Sequence, residues 1–519
     1  MPPSQVGSLP DTLFSADAVR AIDRYVIDEQ GVDGFELMQR AAYSAFRRLV
    51  RQWPESESVL VLCGAGNNGG DGYLVAANAA RHGMTVNCVA VAPTRKLSGD
   101  ARKAWRKAVA DGVPVQEVTA MTPEALDDLF RHAGVVVDAM LGTGVAGAPR
   151  EPFAGLIGRC NHSAAPVLAI DIPSGLNATT GATEGDVVWA DLTVTFIGLK
   201  CGLFTGQGSA VCGRVVFEAL DTEEGVSRSG QRPLANRVDW PSVMAWLPKR
   251  PANAHKGRFG HVLVVAGERG FGGAGLMAAE AASRSGAGLV SLATRPEHVT
   301  AALARCPSVM VHGLIHGSEL PPLLEAASVV VCGPGMGQSA WGQQMLEQVV
   351  DSDKPRVLDA DALNLLSTRV AVPADNQVLT PHPGEAARLL GCLVPEVEAD
   401  RLAAVRTLQS MYGGTVLLKG AGTIIASEGE TVDIVSGSNP GMATGGMGDV
   451  LAGMIGALYG QLGNPRQAAV LAASAHLAAA NRASGSQGFM GLIPTDVIDA
   501  LPAIFLESEN RHRPDREES

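Results

Sequence analysis

The sequence lacks paired cysteines of the CxxC kind; its eight cysteines stand apart at 63, 88, 160, 201, 212, 306, 332 and 392. That spacing forms no metal-ligand cluster of thiolates. It predicts small buried hydrophobes in a reducing compartment. A Lys/Arg stripe is missing too, and 41 basic against 53 acidic residues leave a net charge of −12. Nucleic-acid binding therefore has no electrostatic support. An anionic ligand needs local donors instead: N–H groups, a lysine or a metal ion. No apolar run reaches membrane-spanning length, so no membrane association is expected. The opening "MPPSQVGSLP" has no basic stretch followed by an apolar one, and no signal peptide is expected. Cytoplasmic is the default location.

Glycine is what the chain has in excess, 61 of 519 residues against a usual share of about 7%, and without a three-residue period. Many tight turns and ligand loops are implied, not a fibre. At 18% charged and 46% apolar residues the composition is that of a globular protein. The length exceeds a single core and predicts about two to four domains.

Short β-branched runs alternate with Ala-rich helical spacing. In the first half "SVLVLCGAG", "TVNCVAVA", "GVVVDAML", "PVLAID" and "DLTVTFIGL" read as strands; in the second, "HVLVVAGE", "LVSLAT", "SVVVCGPG", "PRVLDADAL" and "GTVLLKGAGTIIA" do. Nearly continuous apolar strands predict parallel sheets covered on both faces. The stretch "DTEEGVSRSGQRPLANRVDW" breaks the pattern and reads as a linker. The expected fold class is α/β, as two fused three-layer α/β/α domains over 10–222 and 241–508, joined by a linker at 223–240. The charged tail "ENRHRPDREES" is expected to be disordered.

Near the C-terminus stands "NPGMATGGMGDVLAGMIGALYG". Its glycines suit a phosphate cradle, with N–H groups of Gly445 to Gly448 leading into a helix that favours anions. Asp449 at the mouth of that cradle should repel a phosphate. The charge makes sense if the carboxylate takes a proton from a neutral hydroxyl attacking phosphorus, while N–H groups hold the charge developing on the phosphoryl oxygens. On "GMGD" alone a helix N-cap is the commoner role for Asp449. Other segments add weight. "LKGAGTII" offers Lys419 and a glycine turn suited to nucleotide phosphates, with a plain hairpin as the alternative. "LTPHPGEAARLL" holds His382 rigidly between prolines, and "VLDADALNLL" puts Asp359 and Asp361 at a strand end, where α/β sheets bind ligands or cap the next helix.

Together with "HKGRFGHVLVVAG", "GAGLMAAEAASRSGAGLV" and "GPGMG", these segments resemble the ribokinase-like domain of NAD(P)H-hydrate dehydratases over nearly all of 250–505. The resemblance implies an ADP-dependent reaction on hydrated NADH or NADPH: the ring hydroxyl is phosphorylated from ADP, and phosphate loss restores the double bond and leaves AMP. By motif position Lys419, Gly420, Ala421, Gly422, Thr423 and Gly448 would bind the nucleotide. Ala274, a glycine of "GPGMG" (Gly335 or Gly337), His382 and Asp449 would line the hydrate site, with Asp449 as base. A magnesium ion on the ADP phosphates is implied by the family and by the charge problem. Gly275 stands where many members have Ala, and Met336 where Leu is usual.

In the first half "CGAGNNGGDGYLVAANAA" joins a strand to a helix. Two side-chain amides and a carboxylate in one glycine-rich turn suit a hard cation, and the N–H groups suit phosphate; capping Asn and Asp are the plainer alternative. Asp138 in "VVDAMLGTGVAGA" and Asp171 in "AIDIPSGLNA" follow at further strand ends. Three such sites converge on one crevice by the switch-point rule. With "TFIGLKCGL", this set resembles the Rossmann-like NAD(P)H-hydrate epimerase domain over about 10–220. The resemblance implies a potassium ion on Asn68, Asp138 and Ser174. The hydrate would bind Asn67, Asn68, Gly69, Gly70 and Asp71, the turn Gly142, Thr143, Gly144, Val145, Ala146, Gly147 and Ala148, and Asp171. Asp171 would also handle protons as R and S forms interconvert. Lys200 matches a family position, with snorkelling as the alternative. A homo-oligomer is the expected assembly. A ribokinase-like vitamin kinase fused to a non-catalytic binding module is the rival, and such a kinase has no use for an epimerase.

Overall fold

The computed structural model describes residues 9–144 and 147–511 and divides between Arg237 and Val238 into two compact units. In the first unit the strands are β1 (Thr12–Phe14), β2 (Ser58–Cys63), β3 (Thr85–Ala90), β4 (Val115–Glu117), β5 (Val135–Ala139), β6 (Val167–Ile170), β7 (Leu192–Phe196), β8 (Leu199–Lys200), β9 (Arg214–Glu218) and β10 (Ala235–Val238). Seven of them form one wholly parallel sheet in the order β4-β3-β2-β5-β6-β7-β9.

Alternation along β2 gives the layers. Val59, Val61 and Cys63 bury against the helices Ala16–Asp28, Gly34–Gln52 and Asn67–Arg81, while Leu60 and Leu62 face Leu126, Phe130, Leu156 and Ile157 on the other side. Both faces are thus apolar, as a parallel sheet requires. Truncating Leu60 to Ala would cost about 2–5 kcal/mol, because neither layer can collapse onto the gap. The order reverses beside β2, whose neighbours are β3 and β5, so the turns after β2 and β5 flank one crevice.

The segment read as a linker has structure of its own. It carries the helix Glu223–Arg228 and β10, which pairs antiparallel with β1 through Leu13↔Ala235. Its charges are used: Arg237 is buried and donates to the carbonyls of Leu9 and Pro10, both at 3.0 Å.

The second unit holds β11 (His261–Val265), β12 (Leu289–Thr294), β13 (Met310–Gly313), β14 (Val329–Cys332), β15 (Arg356–Leu358), β16 (Gln377–Leu379), β17 (Thr415–Leu418), β18 (Ile424–Ser427) and β19 (Val432–Val435). They lie in the order β13-β12-β11-β14-β15-β16-β17-β18-β19, parallel as far as β17, after which β18 and β19 are antiparallel. "GTVLLKGAGTIIA" is therefore a hairpin and not one strand, since the glycine-rich "KGAGT" lets the chain reverse. "PRVLDADAL" is strand only to Leu358, and a helix begins at Asp361.

The helix Met447–Leu462 lies very close to its neighbours. A Cβ on Gly453 would sit 2.0 Å from the Ala278 carbonyl oxygen, and one on Gly456 would sit 2.4 Å from a Val331 methyl. These glycines set the approach of helix to helix and helix to sheet, and so fix where the helix begins. Among the described residues all eight cysteines are free thiols, seven of them buried. The final helix runs on to Arg511, so the expected disorder fails for Glu509 to Arg511. The remainder of that tail lies outside the described residues.

Candidate functional site

In the first unit Gly66 precedes the helix Asn67–Arg81 without a side-chain cap, so Asn67 and Asn68 are not spent on capping. Asn68 donates from Nδ2 to the Leu141 carbonyl at 2.8 Å, while its Oδ1 is buried without a partner. Asp138, at the end of β5, is wholly buried; its Oδ1 accepts from the Ser174 hydroxyl at 2.6 Å and its Oδ2 from the Ser174 N–H at 2.8 Å. The Leu141 N–H returns to Ser174 Oγ at 2.9 Å. Asn68, Asp138 and Ser174 therefore meet around the Leu141 peptide. Burial raises the Asp138 carboxyl to about 6, against the lowering hydrogen bonds from Ser174 and Met140. An orphaned amide oxygen beside a buried carboxylate is what a hard monovalent cation would satisfy.

A cavity of about 560 Å³ opens beside this network, lined by Asn67, Asn68, Asp71, Asp171, Lys200 and Gly142 among others. Asp171 sits at φ 66°, and its Oδ1 accepts from the Lys200 ammonium and from the Thr195 hydroxyl at 3.1 Å. Lys200 does not snorkel. It is 1% exposed and also donates to Thr195 Oγ1 at 3.0 Å and the Phe196 carbonyl at 3.1 Å. Asp23, on the helix Ala16–Asp28, joins the same wall. Burial lifts it to about 6, with Lys200 opposing and Asp171 adding. Burial, then Asp171 and Asp23, hold Asp71 well above the ordinary carboxylate range.

Of the residues expected here, Asn67, Asn68, Asp71, Gly142, Thr143, Gly144 and Asp171 line the cavity. Gly69 and Gly70 do not; a Cβ on them would strike the Gly64 carbonyl and Met38 Sδ, so they let the turn pack. Gly147 and Ala148 lie instead toward Glu184 and Gly185, and Val145 and Ala146 fall outside the described residues. Asp23 was not legible: nothing marks one Asp on an amphipathic helix as facing a crevice built by distant strands.

In the second unit Asp449 is the third residue of the helix Met447–Leu462 and not its cap. The cap position is Gly446, left-handed at φ 97°, where a Cβ would lie 2.7 Å from Met277 Cε and 2.8 Å from Pro494 Cγ. The first-turn N–H groups have no helical carbonyl to meet and remain free for an anion. Asp449 forms no ion pair among the described residues. Burial raises it from 3.8 to about 7, with Asp359 adding, Lys419 opposing, and Asp361 and Glu385 adding less.

Lys419, at the end of β17, points into these carboxylates: its Nζ is 2.7 Å from Asp359 Oδ1 and 3.7 Å from Glu385 Oε2. Burial works against its charge, but Asp359 and Glu385 more than restore it, and its pKa is raised. A Cβ on Gly448 would be 3.2 Å from that Nζ, so the "KGAGT" turn and the "GMGD" turn face one space. Thr423 Oγ1 donates to the Gly420 carbonyl at 3.0 Å and closes the turn, Gly422 is buried within it, and Ala421 is exposed.

His382 is a helix cap: its Nδ1 accepts from the Gly384 N–H at 2.9 Å, and Glu385 Oε2 accepts from the His382 N–H at 2.8 Å. With Nδ1 so used, the other ring nitrogen, Nε2, lies 3.4 Å from Glu385 Oε1, and burial lowers the ring's pKa against the raising charge of Glu385. Asp361 accepts from the Gly337 N–H at 2.9 Å, and Gly335 lies against Ala274, whose Cβ would be 3.0 Å from an added methyl. Gly275 fits the same packing, since a Cβ there would lie 3.0 Å from that of Ala266, and Met336 is fully buried beside Cys332. Glu385 and Thr380 were missed, the latter binding Asp359 Oδ1 at 2.8 Å. The capping-box spacing His-x-x-Glu could have flagged Glu385.

Residues 34–202 match the family described as YjeF-related protein N-terminus, and residues 262–503 match NAD(P)H-hydrate dehydratase. A bifunctional NAD(P)H-hydrate repair enzyme of Coxiella burnetii is 43% identical over 492 residues, spanning 95% of this chain and 99% of its own. That of Escherichia coli is 44% identical over 503 residues, spanning 96% and 94%. Among solved structures, the ADP/ATP-dependent NAD(P)H-hydrate dehydratase of Bacillus subtilis, co-crystallised with ATP and magnesium, is 29% identical with a TM-score of 0.48. It covers 52% of this chain and 97% of that chain.

Proposed function

This chain belongs to the family of bifunctional NAD(P)H-hydrate repair enzymes, and from that premise we propose how its residues divide the work. The activity pairs an NAD(P)H-hydrate epimerase with an NAD(P)H-hydrate dehydratase. We assign the epimerase to 10–222 and the dehydratase to 241–508.

In the second site the hydrate's ring hydroxyl meets Asp449. The carboxylate takes the hydroxyl proton as oxygen bonds to the β-phosphorus of ADP and AMP leaves. The first-turn N–H groups hold the phosphoryl charge, and Lys419 with the turn Gly420 to Thr423 holds the nucleotide phosphates. The ring nitrogen then expels phosphate, and loss of a neighbouring carbon's proton restores the double bond. His382, Ala274 and a glycine of "GPGMG" shape the hydrate side. Among the described residues no group of three His, Cys, Asp or Glu side chains is placed to hold a metal. Magnesium would therefore arrive on the nucleotide, its phosphate oxygens supplying most ligands, and would neutralise charge there. The observation that carries this reading is Asp449, which is not the helix cap, forms no ion pair among the described residues and is raised to about 7 in the first turn of the helix.

In the first site Asn68 Oδ1, Asp138 and Ser174 would hold potassium, whose charge offsets the burial of Asp138. Asn67, Asn68, Asp71, Gly142, Thr143, Gly144 and Asp171 would receive the hydrate. We also propose ADP as co-substrate, the S epimer as the form dehydrated, a cytoplasmic setting and a homo-oligomer. No described helix is long and apolar enough to cross a membrane. The test is to incubate the whole chain with mixed epimers and follow NADH absorbance. With ADP and magnesium both epimers should vanish; turnover without any nucleotide would refute the scheme.

A further inference from the structure

Granting the epimerase reading, inversion at the hydrated carbon sets a definite chemical demand. Water added across an enamine double bond leaves its hydroxyl on the carbon bonded to the ring nitrogen. A redox-neutral route that keeps the oxygen on such a carbon is ring opening: O–H and C–N break, C=O and N–H form, and closure on the other face gives the other epimer. One group must accept the hydroxyl proton, and another must protonate nitrogen.

Asp171 has one oxygen committed, since its Oδ1 takes both the Lys200 ammonium and the Thr195 hydroxyl, and the ion pair holds that carboxylate in place. Lys200 directs its protons to Asp171, Thr195 and the Phe196 carbonyl. Asp23 differs. It lines the same cavity as Asp71, Asp171 and Lys200, and its buried Oδ1 has no hydrogen-bond partner. A buried carboxylate oxygen without a donor is costly to fold, and a hydroxyl in the cavity would satisfy it.

We propose that Asp23 is the proton acceptor of the epimerisation, taking the hydroxyl proton as C=O forms and the C–N bond breaks. Asp71, in the same cavity, gives the proton that nitrogen gains. Burial, then the charges of Asp171 and Asp23, favour the protonated form of Asp71. Burial lifts Asp23 only to about 6, since Lys200 opposes it, so it is ionised near neutrality yet basic enough to act. Ring closure returns both protons, so the step is redox-neutral and restores the enzyme.

The test uses the full chain with R-hydrate, ADP and magnesium, and S-hydrate turnover as the internal control. In Asp23→Asn, R-hydrate consumption should fall by about 100-fold or more with KM unchanged, while S-hydrate consumption stays at the wild-type rate. Wild-type enzyme given R-hydrate carrying ¹⁸O in the hydroxyl should keep the label on inversion in ordinary water. A near-normal Asp23→Asn rate, a loss confined to KM, or loss of the label would overturn the assignment. If Asp23→Asn also loses S-hydrate turnover, Asp23→Glu decides: partial recovery of R-hydrate consumption supports the role, and none overturns it. If wild-type enzyme converts R-hydrate no faster than buffer does, the epimerase reading itself has failed.

Discussion

Replacing Asp449 by Asn separates a catalytic carboxylate from a structural one, because the two roles predict opposite changes in stability. Asp449 is raised from 3.8 to about 7 in the folded protein, chiefly by burial and then by Asp359. Between those values the folded state holds more proton than the unfolded one, so stability falls as pH rises through that window, and the penalty is complete above it. Three pH units correspond to about 4 kcal/mol at most. Partial exposure and solvent screening reduce this to about 1–2 kcal/mol. The favourable place of an acid in the first helical turn returns about 0.3–1 kcal/mol of that to the wild type. Asp449→Asn should therefore be as stable as wild type at pH 4 and more stable by up to about 1.7 kcal/mol at pH 8, read by urea unfolding. Dehydratase kcat should nonetheless fall by about 100-fold or more, with AMP affinity little changed. The acid limb of kcat/KM, where the wild type loses activity below about pH 7 as Asp449 protonates, should disappear. A near-normal rate, or a loss of stability at pH 8, would refute the reasoning.

Lys419→Met leaves Asp359, 1% exposed, without its cation, so urea unfolding should show a loss of about 3–5 kcal/mol and AMP binding should be abolished; a variant as stable as wild type would mean that the pair is no prop. Asn68→Ala removes the orphaned amide oxygen, and potassium should no longer accelerate R-hydrate conversion, measured by titrating KCl against choline chloride; an unchanged potassium response places the ion elsewhere. Gly333→Ala puts a Cβ 1.8 Å from the Asp359 carbonyl oxygen at φ 127°, so thermal unfolding should reveal a loss of at least about 2–4 kcal/mol. Unchanged stability there would show that the turn before Asp359 relaxes freely.

Much of both sites was legible because α/β crossovers bring the C-terminal ends of parallel strands together. Asp138, Asp171 and Asp359 could be read as site carboxylates from their place after apolar runs, without knowing any contact. What each side chain does there was less legible. Lys419 reads as a phosphate ligand, and the fold turns it onto Asp359 as well. His382 reads as a rigid ligand, and its Nδ1 is taken by the helix that it caps. Asp23 carries no mark in the sequence, since its helix shows only an amphipathic pattern.

The order of apolar runs and glycine turns by itself determined two α/β domains and the parallel run of their main strands, because these depend on local period and backbone freedom. Only the tertiary structure decided which carboxylates stay unpaired. Protonation and catalysis depend on charges brought within a few ångströms of one another in a water-poor crevice, and no spacing along the chain encodes that proximity.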